Sequence, residues 1–314
     1  MKKELHKAYI ALALVSFFWG TTYIAARIGA HYMPGLFLAG VRQFLSGLLL
    51  AGFFVLRGYK LPPWVEMKKI FFQGLLLLCI ANGLLTWSLE YISGGLAAII
   101  AALGPLFITL FSMMLSRSAK ITPWLIVGIL IGFAGVFVIF YDYPGEVHNR
   151  FFPFGLMMAL IATLSWAYGS VYSSRQKLST DILFNVGLQM FGAGIVMLLV
   201  CFLTGKTANL ALTASSGIYA MAYLVVFGSL LAYSAYVYAI SKLPPTLVSI
   251  YAYINPVVAI GFGWMLLHEK LNASMLVGAA ITLAGVWLVK RASQINTATV
   301  IEKPVVKTAD LIKK

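Results

Sequence analysis

Residues 94–115 read GGLAAIIAALGPLFITLFSMML, and no residue in that stretch is charged. As a helix, 22 residues would reach about 33 Å, enough to cross the roughly 30 Å hydrocarbon core of a bilayer. Pro105 stands near its middle. A second uncharged stretch, PPTLVSIYAYINPVVAIGFGWMLL at 244–267, again carries a central proline, Pro256. Further apolar runs fall near 8–26, 35–56, 70–90, 121–141, 152–174, 182–204, 216–240 and 272–290, which makes ten. The whole chain of 314 residues is 61% hydrophobic and only 10% charged, with a mean hydropathy of +0.92. Soluble domains hold about 45–50% apolar and about 25% charged residues. The composition therefore excludes a cytosolic enzyme, a secreted disulfide scaffold and a nucleic-acid-binding domain. It predicts an all-α integral membrane protein with ten transmembrane helices. The first run lacks a small-residue cleavage site and continues past Trp19, so it reads as a retained helix rather than a signal peptide. Cys79 and Cys201 each lie inside an apolar run and read as small core residues.

The net charge of +14 has its source in the loops. With the N-terminus inside, eighteen lysines and arginines fall on the inner segments, six of them from Lys290 onward. The outer segments hold four: Arg27, Arg150, Lys206 and Lys270. This bias predicts both termini cytoplasmic and the loop around 141–150 outside. The polar tail, 291–314, is expected to be disordered.

The two halves resemble one another. Phe18-Trp19-Gly20 matches Ser165-Trp166-Ala167, and Gln43 matches Gln189. Leu103-Gly104-Pro105 matches Ile254-Asn255-Pro256, and Gly128 through Gly135-Val136 matches Gly278 through Gly285-Val286. These matches keep their order. They divide the chain into repeats at 8–141 and 152–290, five spans each. Five is odd, so the second copy enters the membrane from the opposite side, and inverted repeats point to a secondary transporter with a site at the midplane.

Taken together, the Trp-Gly of the first span, Arg42 of the second, the paired prolines and Leu267-His268-Glu269-Lys270 resemble the EamA family of the drug/metabolite transporter superfamily. The resemblance covers 8–290 and implies two inverted five-helix repeats around a central cavity. It further implies export or exchange of small metabolites, often amino acids, across a bacterial inner membrane. Where the family carries an acidic residue after the fourth span this chain reads Ser118-Ala119-Lys120, leaving Glu269 without a repeat partner.

Within the spans, a few residues could carry chemistry. Pro105 and Pro256 free the carbonyls of Ala101 and Ala252, and each is either a packing kink or a hinge on the solute path. Asn255 adds an amide at membrane depth. Arg42 is the one basic residue inside an apolar run, either bonded to structural partners or holding a solute carboxylate. All nine acidic residues lie at span ends, in loops or on the tail, which leaves little basis for a buried proton relay. Polar and aromatic stripes at helical spacing follow Asn82, Thr86 and Glu90; Ser229, Tyr233 and Tyr236; Ser16, Trp19 or Gly20, and Tyr23; and Ser165, Tyr168 or Gly169, and Tyr172. Trp19, Tyr23, Arg42, Asn82, Thr86, Trp166, Tyr168, Tyr233, Tyr236, Tyr253 and Asn255 are thus the expected cavity lining. Such a lining suits an amphipathic or aromatic solute.

Gly205-Lys206-Thr207 ends like a phosphate loop, but Val200 occupies the first glycine position and no ATP site follows. Gly128 and Gly132 read as close-packing devices, and Asn272 as a cap or a sequon. The four histidines sit at membrane edges, so an intramembrane enzyme lacks its base or metal cluster. A lipid-carrier flippase, or a sugar or drug transporter of the same superfamily, remains the alternative. The expected partners are a small-molecule metabolite and the bilayer, with no nucleic acid, cofactor or metal. The chain is expected to act as a monomer or weak homodimer.

Overall fold

A computed structural model describes residues 2–115, 123–141, 150–176, 178–243, 248, 251–268 and 273–301. The described residues are helical almost throughout. We number the helices α1 (Lys2–Tyr32), α2 (Gly35–Leu56), α3 (Trp64–Ser88), α4 (Gly94–Ala101 and Gly104–Leu115) and α5 (Pro123–Tyr141). The second half holds α6 (Phe152–Ser174), α7 (Ile182–Leu203), α8 (Ser215–Lys242), α9 (Tyr251–Leu267) and α10 (Ala273–Ile301). Seven of these are long and apolar enough to cross a membrane, and three shorter apolar stretches lie in α5, α9 and α10. The last helix passes the expected end of its span at 290. Arg291 stacks on the Trp287 ring one turn earlier, at 5.3 Å, and the helix continues to Ile301. The rest of the tail, the loop at 142–149, Glu269 and Asn272 lie outside the described residues.

The ends of the helices follow from local chemistry. Ser93 caps α4 by accepting from Leu96 N at 3.3 Å, and Asp181 caps α7 through Leu183 N at 2.8 Å. Two glycines stop α2 and α7 in the same way. Gly58 (φ 85°) and Gly205 (φ 67°) adopt the left-handed conformation that a side chain resists. After each, the chain folds back: Tyr59 N donates to Phe54 O and Lys206 N donates to Cys201 O. The apparent phosphate loop is therefore a helix cap. Gly58 and Gly205 are 147 residues apart, the offset of Trp19 and Trp166.

Packing reproduces that symmetry residue by residue. The most extensive helix pairs are α5 with α10 and α2 with α7, each joining equivalent helices of the two repeats. A Cβ on Gly187 would stand 2.6 Å from Ala51 N, and one on Gly40 would stand 3.1 Å from the Leu198 side chain. Gly187 is Gly40 plus 147, and Leu198 is Ala51 plus 147, so the two contacts are one contact seen twice. Phe44 stacks on Phe191 at 5.3 Å, again 147 apart. In α5 and α10, Gly135 meets Thr282 as Gly285 meets Gly132, at an offset of 150. This register corrects one expected match: the counterpart of Gln43 is Met190, and Gln189 corresponds to Arg42.

The remaining helices exchange partners. Helix α1 packs on α8 and α9 of the other repeat, while α6 packs on α3 and α4. The repeats interlock, and the space between them is built from both. Cys79 and Cys201 are unpaired thiols.

Candidate functional site

Midway along the bundle lies a cavity of about 110 Å³. Seven of the helices place its walls. From α1 come Trp19, Thr22, Tyr23 and Ala26, from α2 Arg42 and Gln43, and from α3 Leu78, Asn82, Leu85 and Thr86, with Leu89 just beyond its end. Ala101 of α4 and Ala102 after it, Thr163 and Trp166 of α6, Gly228, Ser229 and Tyr233 of α8, and Tyr251, Ala252 and Asn255 of α9 also line it. Along α1 and α3 the lining residues run from mid-helix toward the end where α1 finishes, so the cavity occupies that half of the bundle.

Three local irregularities open this space. The structure breaks α4 at Ala102–Leu103, and Pro105 is the second residue of the segment that follows. Ala101, whose carbonyl the proline cannot engage, faces the cavity. Pro256, by contrast, lies inside the continuous α9. The two prolines are equivalent in sequence but differ in effect, and neither ring lines the cavity. The second and third irregularities are π-helical turns, Leu75–Asn82 in α3 and Leu224–Leu231 in α8. They are equivalent positions of the two repeats. Such turns widen a helix by one residue and recur at functional sites. They bring Asn82 on one side, and Gly228 and Ser229 on the other, to the cavity wall.

The floor is aromatic. Trp19 meets Trp166 edge to face at 5.5 Å, Tyr236 at 5.0 Å and Tyr251 at 5.1 Å. These separations suit favourable ring pairing, and the two equivalent tryptophans touch across the symmetry axis. Trp19 Nε1 donates to Gly228 O at 3.3 Å. Tyr236 lies in this layer, one turn beyond the lining residue Tyr233, rather than in the wall. The layer closes the cavity toward the end of the bundle where α1 begins. At that end Ser179 donates from N and Oγ to the Glu66 carboxylate, and Tyr238 donates to Glu4.

Polar contacts organise the upper wall. Arg42 is buried, 5% exposed, and its Nε donates to Ser229 Oγ at 2.8 Å. Gln43 Nε2 donates to Asn82 Oδ1 at 3.0 Å, and Gln43 Oε1 is buried with no partner. Gln189, the counterpart of Arg42, donates to Gln73 Oε1 at 2.7 Å and accepts from Tyr233 at 3.1 Å. Asn255, with its amide nitrogen turned toward acceptors, donates to Ser16 O and Tyr251 O and so ties α9 to α1.

Of the expected lining, Trp19, Tyr23, Arg42, Asn82, Thr86, Trp166, Tyr233 and Asn255 converge on the cavity. Tyr168 does not: it is 37% exposed and packs edge to face on Phe111. On α6 the inward stripe passes through Gly169 instead, which leaves room for Leu76 and Leu77 of α3. Tyr253 also lies off the cavity, since Asn255 and Tyr251 occupy the inward face of α9. Gln43, Thr22, Thr163 and Tyr251 are additional lining residues. Tyr251 was within reach of the sequence, standing four residues before Asn255.

Leu89 also borders a second, wider recess of about 700 Å³ at the end where α1 finishes. Arg27, His31, Lys206 and Glu90 line it. Arg27 bonds the Leu89 carbonyl, and Glu90 accepts from Gly35 N at the start of α2. No group of metal-binding side chains occurs among the described residues.

Comparison with known proteins agrees with this architecture. The profile of the EamA-like transporter family matches residues 6–141 and 153–291, once per repeat. The inner membrane transporter YedA of Escherichia coli strain K12 is 35% identical over 308 residues, 98% of each chain. The transporter YoaV of Bacillus subtilis is 26% identical, covering 90% of this chain and 96% of its own. PecM of Dickeya dadantii is 27% identical, covering 87% and 88%. A solved crystal structure superposes with a TM-score of 0.66 at 18% identity, covering 92% of this chain and 98% of that one, a likeness of fold.

Proposed function

We propose, on the premise that this chain belongs to the EamA-like transporter family and is a multi-pass inner-membrane transporter, that it exports or exchanges small amphipathic metabolites by alternating access, amino acids foremost. The observation that carries this reading is a mid-depth cavity enclosed by both repeats, with a cation in its wall and an aromatic floor. A cavity of about 110 Å³ is small beside the roughly 300–1,000 Å³ of drug-sized sites, which favours a compact solute over a lipid carrier. In this reading both termini are cytoplasmic, and the cavity faces outward across Leu89.

Counterflow in proteoliposomes tests it. Vesicles loaded with unlabelled amino acids should take up labelled phenylalanine saturably, and empty vesicles should not. Leu85→Trp, which fills the cavity from a partly exposed position, should cut that flux at least tenfold. Absence of protein-dependent flux for amino acid, sugar and drug probes alike would sink the proposal.

A further inference from the structure

We infer that Arg42 is a built-in counter-ion for one carboxylate on the transported solute, and that Gln43 Oε1 accepts a hydrogen from a donor group beside that carboxylate. The inference rests on the transporter reading and adds the chemistry of what is carried.

Among the described residues each carboxylate is engaged at a helix end: Glu4 with Lys7 and Tyr238, Glu66 with Ser179, Glu90 with Gly35, Asp181 with its own helix. None pairs with Arg42. A guanidinium offers five N–H donors, yet Arg42 spends one on Ser229 and makes no other hydrogen bond among the described residues. Its Nη2 side lies so close to Gly228 that a Cβ there would come within 2.7 Å. A buried unpaired charge is costly unless something neutralises it. The cavity it lines is where that something can enter.

The neighbouring groups narrow its identity. One cation matches one negative charge, whereas a phosphate dianion would bring an unmatched second one. A planar fork pairs well with a planar carboxylate. Gln43 Oε1, 1% exposed as a residue, lacks a donor beside it. An amino or hydroxyl group next to the carboxylate would satisfy it. Below stand Trp19 and Trp166, which take an apolar body. Arg27 and Lys206 in the adjoining recess would attract the same anion on its way in.

The test is a binding measurement on the full chain in nanodiscs, in chloride-free buffer. Tryptophan fluorescence and thermal midpoint are followed with phenylalanine, 3-phenylpropanoate, phenethylamine and sodium chloride. Phenylalanine should bind saturably, and 3-phenylpropanoate, which lacks the α-ammonium, more weakly by roughly 10- to 150-fold, the worth of one hydrogen bond from a charged group. Phenethylamine and chloride should produce no saturable change. Arg42→Gln should weaken both carboxylates at least a hundredfold. Arg42→Lys, which keeps the charge, gives an intermediate loss and serves should the glutamine variant not fold. Failure of both carboxylates to bind the parent overturns the inference. So does phenethylamine or chloride binding as well as phenylalanine, or binding indifferent to both variants. Carboxylate binding through Arg42 without flux would instead overturn the transport reading and leave this one standing.

Discussion

At the scale of single residues, the symmetry of the chain is broken where chemistry is needed. Arg42 and Gln189 are the same position of two copies, yet one carries a charge into the cavity and the other an amide into a buried network. That network changes what is expected of Tyr233. From sequence Tyr233 is a cavity-lining residue. In the structure it donates to Gln189, which in turn donates to Gln73 and links α8, α7 and α3. Tyr233→Phe leaves Gln189 Oε1 without its donor. Hydrogen bonds between membrane helices average about 0.6 kcal/mol and reach about 1.7, so the variant should lose stability within that range. Equilibrium unfolding in detergent reads it. A change indistinguishable from zero would mean the amide finds another partner.

At the scale of elements, most of what orders the bundle was legible and some could not have been. Uncharged runs, paired prolines and duplicated glycines are visible because charge and shape are rare in a membrane helix, so each exception stands out. The π turns in α3 and α8 leave no such mark: Leu75–Ile80 and Leu224–Phe227 are as apolar as any lipid-facing turn. Facing is hard to read for the same reason, because protein interior and lipid tails accept the same side chains. Thus Tyr168 and Gly169 were equal candidates for the inward face of α6, and only packing against Leu76 and Leu77 separates them. The Gln43–Gln189 match failed by one residue for want of a contact to fix the register. Reciprocal contacts supply that register, and they can be tested as a pair. Gly187→Leu forces a side chain against the Ala51 backbone, 2.6 Å from a Cβ, and should cost about 1–3 kcal/mol or more. Gly52→Ala, on the same helix pair, meets nothing within 4 Å and should stabilise α2 by about 0.5–1 kcal/mol. Thermal midpoints moving in opposite directions are expected. If both fall together, the α2–α7 interface is not where this packing puts it.

At the scale of the whole molecule, the two halves are alike but the state they adopt is not symmetric. One face is shut by the aromatic layer and by Glu66–Ser179 and Glu4–Tyr238. Toward the other face, Leu89 borders both the cavity and a wide recess lined by Arg27 and Lys206. Inverted repeats reach the opposite state when the two copies trade roles about a fixed central site. In the proposed orientation the shut face, rich in lysine and arginine, is the cytoplasmic one. Cysteine labelling tests the orientation and the open side together. In a background with Cys79 and Cys201 replaced by alanine, Leu212→Cys in the α7–α8 link and Leu61→Cys in the α2–α3 link mark opposite faces, 83% and 63% exposed. Thr86→Cys marks the cavity. In intact cells a small impermeant thiol reagent should label position 212 at once and position 86 more slowly, while position 61 reacts only after permeabilisation. Labelling of 61 but not 212 in intact cells would reverse the orientation. Position 86 reacting from the side of 61 alone would show that the aromatic layer is the open end and that Leu89 is the gate that stays closed.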